Sequence, residues 1–229
     1  METTFLKDNY SGKRYIAFFD LDHTIINANS GKALIQYAYK KGAISRRFIY
    51  WGMYLSMLYK FGLKDPVMII SSLTRWLKGV PEQEFNDLSN EMFKTHLVRY
   101  IRPEIVTKIQ YHKQSDAMVV ILSSSIFPVC KAVADHLKMD GIICSTLKTI
   151  DGLYTGDPEG LFCFGREKVN RLSEYCENKK INPALCWYYG DSIDDLPVLT
   201  VIGNPVCVNP DKKLLKQAKK EGWEILTCS

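Results

Sequence analysis

The sequence predicts an α/β protein: a doubly wound, mostly parallel sheet with an all-helical cap inserted after the first strand. Three observations carry this expectation. The apolar run at residues 15–19 stops abruptly at Asp20 and Asp22, as a buried strand does where it opens into a loop at its carboxyl end. Residues 29–97 show no alternating strand pattern. From Pro103 onward short apolar runs alternate with helical patterns, the signature of parallel strands joined by crossover helices.

In chain order, the first strand is followed by helix over 31–62 and further helix over 65–97, broken near Gly79, Val80 and Pro81. Then come a helix at 103–114, a strand at 117–122, a helix at 127–138 and a short strand at 141–144. A small hairpin is expected in "TLKTIDGLYTGD", with Asp151 and Gly152 as its turn. A helix over 165–178, a strand at 184–189, a strand at 205–209, a helix at 211–220 and a last strand at 223–227 complete the chain. The division that results is a doubly wound core of residues 1–28 and 98–229, and a helical cap of residues 29–97 above the carboxyl edge of the sheet.

With 229 residues and a hydrophobic fraction of 46%, one full α/β domain and an insertion can be packed. The net charge of +5 is mild and the lysines are spread along the chain, so no nucleic-acid partner is inferred, while anionic substrates or lipid surfaces are compatible. Seven cysteines form no C-x-x-C pair and no Cys/His cluster with metal spacing. An odd count, without an apolar segment near the N-terminus, argues for reduced thiols and a cytoplasmic protein. Glu2 stands where myristoylation would need glycine.

Several strand ends carry polar groups. Ser123, Ser124 and Ser125 follow the strand at 117–122, Lys168 lies near the start of the helix after the hairpin, and "GDSIDDLP" follows the strand at 184–189. In an open α/β sheet all of these converge on the mouth where Asp20 and Asp22 lie. Each has a plainer explanation: Asp, Thr and Ser form turns and cap helices, and a lone lysine is most often solvated. The acids of "GDSIDD" are harder to explain so, because clustered carboxylates repel unless a cation compensates them, and oxygen-ligated Mg²⁺ is the economical one.

Taken together these motifs resemble the haloacid dehalogenase superfamily, subfamily IB, the phosphoserine-phosphatase-like branch with a helical cap. The D-x-D-x-T motif stands as Asp20, Asp22 and Thr24, the strand-end serine as Ser123, the lysine as Lys168 in "FGREKVNRL", and the acidic motif as Asp191 and Asp195, all in the family order. The resemblance covers the whole chain. It implies a Mg²⁺-dependent phosphomonoester hydrolase working through an aspartyl phosphate on Asp20. Asp22 would be the general acid and then base. Asp20, Asp191 and the main-chain carbonyl of Asp22 would hold Mg²⁺, and Asp195 would orient metal-bound water or Lys168. Ser123, Ser124 and Lys168 would bind the phosphoryl oxygens, and Thr24 would support the loop.

The sequence departs from the family in two places. His23 stands where the family frequently has glycine, and an outward-facing imidazole is the expected outcome. Asn29 stands nine positions after the nucleophile, where phosphoserine phosphatases carry an acid that helps bind the substrate amine. A neutral amide cannot replace that charge, so Asn29 is the nearest specificity candidate and phosphoserine a minority substrate.

The cap also holds an apolar run over 48–59, flanked by Arg46, Arg47, Lys60 and Lys64 and too short to span a bilayer. A buried cap helix is expected, with contact to a membrane surface as the alternative. The expected partner is a small phosphorylated substrate. The competing readings are a lipid phosphate phosphatase of the phosphatidylglycerophosphate type, a phosphotransferase, and a non-enzymatic module that binds a phosphate ligand.

Overall fold

A computed structural model describes residues 13–60 and 66–229. In chain order its elements are β1 (Ile16–Phe19), α1 (Ser30–Lys40), α2 (Arg46–Lys60), α3 (Pro66–Thr74), α4 (Glu82–Met92), α5 (Pro103–Gln114), β2 (Met118–Ile126), α6 (Phe127–Leu137), β3 (Gly141–Ser145), β4 (Leu147–Ile150), β5 (Leu153–Pro158), α7 (Arg166–Asn178), β6 (Trp187–Gly190), α8 (Leu196–Leu199), β7 (Asn204–Val208), α9 (Lys212–Glu221) and β8 (Glu224–Leu226).

Six of these strands form one sheet in the order β3-β2-β1-β6-β7-β8, and every neighbouring pair is parallel. The chain therefore builds outward from β1 in one direction, then returns and builds outward from β6 in the other. The point of reversal, between β1 and β6, leaves a crevice at the carboxyl ends of the strands, and there an open α/β sheet takes its ligand.

Both faces of the sheet are covered, which is why β1 reads as an unbroken apolar run. Ala17 and Phe19 pack on one side with Val119, Ile121, Tyr189 and Val206; Ile16 and Phe18 pack on the other with Val120, Tyr188, Leu172 and Leu214. All four β1 residues are fully buried. The alternation of neighbours follows the two-residue period of a strand, and burial from both sides removes any polar position.

The expected core elements fall within a few residues of those observed; the cap differs more. The single helix expected over 31–62 is two helices. α1 stops at Lys40, Gly42 takes a φ of +78°, and Ser45 starts α2 by accepting a hydrogen bond from the Phe48 amide at 3.3 Å. The end of that helix at 61–62, the start of the next at 65, and Lys64 lie outside the described residues, as do residues 1–12 and the side chains of Ser56, Tyr59 and Lys60.

The break near 79–81 is present and has a partner. Lys78 and Gly79 form a turn, with Gly79 at a φ of +81°, and the chain then bridges β5 through Pro81 and Leu153: the Gly79 amide donates to the Tyr154 carbonyl at 2.8 Å and the Tyr154 amide to the Val80 carbonyl at 3.0 Å. The hairpin of β4 and β5 turns at Asp151 and Gly152, both at positive φ, as a two-residue turn requires. It thereby ties the helical segment to the core.

Two further expectations are corrected. Ser123, Ser124 and Ser125 lie inside β2, whose pairing with β3 shifts register between Leu122 and Ile126. The apolar run of α2 is only half buried: Leu55 is 1% exposed, but Tyr50 is 69% and Tyr54 55% exposed.

Candidate active site

The loop after β1 is held by its own backbone. The Asp20 amide donates to the Tyr189 carbonyl at 2.9 Å, the Ile26 amide to the Leu21 carbonyl at 3.0 Å, and the Asn27 amide to the Tyr100 carbonyl at 2.7 Å. Asp20 is thus fixed against β6, the strand across the crevice, before its side chain makes any contact.

That side chain meets a buried lysine. Lys168, in the first turn of α7 and 4% exposed, places Nζ 3.1 Å from Asp20 Oδ1, 2.7 Å from Asp195 Oδ1 and 3.1 Å from the Tyr188 hydroxyl. Tyr188 in turn donates to Asp195 Oδ1 at 2.7 Å. Asp195 Oδ2 is buried without a hydrogen-bond partner. Gly190 is necessary to this packing: a Cβ there would stand 2.6 Å from Asp195 Oδ2 and 2.7 Å from Tyr188 Cε1.

Asp20, Asp191 and Asp195 bring one carboxylate oxygen each within 4.8 Å of one another. Such crowding out of water is unfavourable for ionised acids. Burial pushes the Asp20 carboxyl up to about 7, with Lys168 opposing and Asp195 and Asp22 adding to the rise. Burial, then Asp20 and Asp195, pushes Asp191 up to about 8. On Lys168 burial acts downward, yet Asp195 and Asp20 outweigh it and hold the ammonium well above its ordinary range. Three carboxylates facing one ammonium remain short of positive charge. The buried, unpartnered oxygen of Asp195 and an all-oxygen donor set fit a hard divalent cation such as Mg²⁺.

Asp22 is held separately. Its Oδ1 accepts the main-chain amide of Ser30 at 2.9 Å, at the first residue of α1, and burial raises its carboxyl while the Ser30 hydrogen bonds oppose that rise. The Ser30 hydroxyl lies 2.9 Å from that of Ser125 in β2.

Among the serines, Ser123 is buried and its Oγ accepts the Ser125 amide at 3.3 Å, while the Ser124 carbonyl accepts the Ser145 hydroxyl at 2.9 Å. Thr24 is fully buried with its hydroxyl unpartnered. His23 is exposed at a φ of +56°, a conformation glycine adopts without cost. Asn29 is exposed and caps α1, its Oδ1 accepting the Lys32 amide at 2.8 Å.

The structure therefore gathers Asp20, Lys168, Asp191 and Asp195 into one cluster, with Asp22 held beside it by Ser30, and turns Asn29 to a capping role. Sequence reasoning missed Tyr188 and Ser30. A tyrosine inside a strand reads as core, and Ser30 reads as the start of a helix.

Comparison with known proteins identifies the family and the fold. A family model for haloacid dehalogenase-like hydrolases matches residues 17–200. A histidinol-phosphatase of Neisseria meningitidis is 29% identical over 228 residues, covering 92% of this chain and 97% of that one. A Bordetella pertussis protein of unknown function superposes with a TM-score of 0.88 at 20% identity, covering 93% and 98% of the two chains. A phosphoserine phosphatase solved as an analogue of its phospho-aspartyl intermediate superposes with a TM-score of 0.67 at 18% identity, covering 94% and 93%. With the family motifs in order and the α/β fold in place, the chain belongs to the haloacid dehalogenase-like hydrolases and is a phosphatase-type enzyme of the phosphoserine-phosphatase-like kind.

Proposed function

We propose that this hydrolase cleaves phosphoric monoesters of small metabolites through an aspartyl phosphate on Asp20, with Mg²⁺ as its cation. The observation that carries the reading is a carboxylate, Asp20, fixed at the switch point of the sheet 3.1 Å from a buried ammonium and beside two more acids. A phosphate monoester is an anion that resists attack, so a site for it must supply positive charge, an aligned nucleophile and a proton for the departing oxygen.

In the first step an Asp20 oxygen bonds to phosphorus as the ester P–O bond breaks, and Asp22 gives its proton to the leaving alkoxide. In the second, Asp22 takes a proton from water, the water oxygen bonds to phosphorus, and the acyl phosphate bond breaks to free Asp20 and inorganic phosphate. Asp22 suits the donor role because burial favours its protonated form. Lys168, oriented by Asp195, and Ser123 with Ser124 bind the phosphoryl oxygens. Thr24 supports the loop from within. Asp20, Asp191 and the main-chain carbonyl of Asp22 would hold Mg²⁺, which when bound keeps Asp20 ionised and offsets phosphoryl charge.

Residues 29–97 act as the cap that selects the leaving alcohol. Asn29 brings no negative charge to that selection, which speaks against phosphoserine as the preferred substrate. The test is acid-quenched enzyme after exposure to radiolabelled substrate. Wild-type protein should carry phosphate on Asp20, and Asp20→Asn should carry none. The variant should melt no lower than wild type, because the substitution neutralises one of three crowded acids. Label on another residue, or turnover by the variant, would overturn the mechanism.

A further inference from the structure

Charge on this chain is distributed far less evenly than its sum of +5 suggests. Between Asp22 and Asp65 there is no aspartate or glutamate, but seven lysines and arginines. Residues 23–64 thus carry +7, which leaves −2 on the rest of the chain. Lys32, Lys40, Arg46 and Arg47 are exposed. Lys41 is paired with Glu91 at 2.7 Å, and Arg46 Nε donates to the Tyr39 hydroxyl at 2.7 Å.

Within this acid-free stretch α2 has two apolar faces. One packs inward through Leu55, while Tyr50, Met53, Tyr54 and Met57 are all more than half exposed. Positions 50, 53, 54 and 57 follow the i, i+3, i+4, i+7 spacing of a single helix face. Trp51 borders them at 39% exposure, and Met68 of α3 is 60% exposed. A soluble domain gains nothing from such a stripe in water, and clustered large apolar side chains mark a contact surface.

We propose that this face of α2 docks the protein on the surface of an anionic lipid bilayer. Aromatic and methionine side chains enter the boundary between headgroups and acyl chains, and the surrounding cations meet the anionic headgroups. A second copy of the chain is the weaker fit, because it would set this basic stretch, which has no acid of its own, against its own image. No helix among the described residues is long and apolar enough to cross a membrane, so the contact lies along the surface. The proposal is independent of the catalytic reading, and the substrate itself need not be a lipid.

The test is co-sedimentation of the full chain with phosphatidylcholine vesicles, with and without phosphatidylglycerol, at low and high salt. Binding is expected only to the anionic vesicles and only at low salt. It should bring a blue shift in tryptophan emission that Trp51→Phe removes. The double variant Met53→Ser/Met57→Ser and the charge reversal Arg47→Glu should each weaken binding roughly tenfold or more, with the melting temperature of the protein unchanged. No binding, equal binding to neutral vesicles, or binding that survives both variants would overturn the proposal. So would a dimer in solution that Met53→Ser/Met57→Ser dissociates.

Discussion

Ser30 opens α1, yet its contacts reach Asp22 and Ser125, beside the acidic cluster of the candidate site. Its amide holds Asp22 Oδ1 at 2.9 Å and its hydroxyl reaches Ser125 at 2.9 Å. Ser30→Ala keeps the amide and cuts the link to β2, which loosens the acid without removing it. A proton donor matters most where the leaving alkoxide is basic. Turnover of alkyl phosphates should therefore fall by about ten- to a hundredfold, while an aryl phosphate with an acidic phenol is nearly unaffected. Asp22→Asn should show the same selectivity more strongly, and an equal loss on both substrate types in Ser30→Ala would reduce Ser30 to structural support. At Gly190 the expectation is harsher. A methyl group would press on Asp195 and Tyr188, so Gly190→Ala should lower the melting temperature, by about 1–3 kcal/mol of stability, and weaken Mg²⁺ binding measured calorimetrically. The residues of the cluster legible in the sequence were the acids that follow β1 and β6, Asp20, Asp22, Asp191 and Asp195, with Lys168 added by family order. Tyr188 and Ser30 act through partners far along the chain, Lys168 and Ser125, and no local pattern announces such a contact.

The helical segment and the core meet through an element that belongs by sequence to the core. Thr74, at the end of α3, donates its hydroxyl to the Gly156 carbonyl of β5 at 3.0 Å, in a buried contact. Gly156 has a φ of +85°, and a Cβ there would lie 3.2 Å from Arg75 Cα and 3.3 Å from the Arg75 carbonyl oxygen. Both neighbours are backbone and cannot move aside cheaply. Gly156→Ala should cost about 1–3 kcal/mol through strain at positive φ and the close approach. It should also raise hydrogen exchange at Gly79 and Tyr154, whose amides join the two parts; unchanged exchange there would show that the junction is held elsewhere. The hairpin itself was legible, since Asp-Gly between apolar runs specifies a two-residue turn. Its partner was not, because residues 78–81 have no alternation of their own and meet β5 through a turn and one bridge at Pro81. The division of α1 from α2 was present in Gly42 and Ser45, a C-terminal and an N-terminal signal five residues after Tyr37 and just before Arg46. The apolar Ala43 and Ile44 between them carried the helical pattern across the gap. The exposed face of α2 was hidden for a different reason: an apolar residue reads as core until its surroundings are known.

For the molecule as a whole, two groups of buried ionisable side chains set opposite pH dependences. His112 is fully buried between two tyrosines, with the Tyr15 hydroxyl 3.0 Å from Nδ1 and the Tyr189 hydroxyl 2.8 Å from Nε2. Burial, aided by Lys108, pushes its imidazole down to about 4. Below about pH 6.5 the unfolded chain takes up a proton that the folded one refuses, so stability falls as the pH drops from there toward 4, by roughly 3 kcal/mol in all. The acids act in the other direction. Asp20 at about 7 and Asp191 at about 8 keep protons that the unfolded chain loses near pH 4. Between those limits the folded state binds more protons, and metal-free stability declines as the pH rises. Two acids outweigh one imidazole, so without cation the melting temperature should fall as the pH rises from about 4 to about 8, less steeply below about 6.5, where His112 opposes the acids. Mg²⁺ should offset that decline increasingly toward the alkaline end, because its binding displaces the protons of Asp20 and Asp191 and leaves His112 untouched. Scanning calorimetry at about pH 5.5 and about pH 8, with and without Mg²⁺, measures this directly, and the Mg²⁺-induced rise should be several degrees larger at the higher pH. His112→Gln should steepen the decline below about pH 6.5 and preserve that difference. A rise of equal size at both pH values would mean that the cation binds elsewhere than among these three carboxylates.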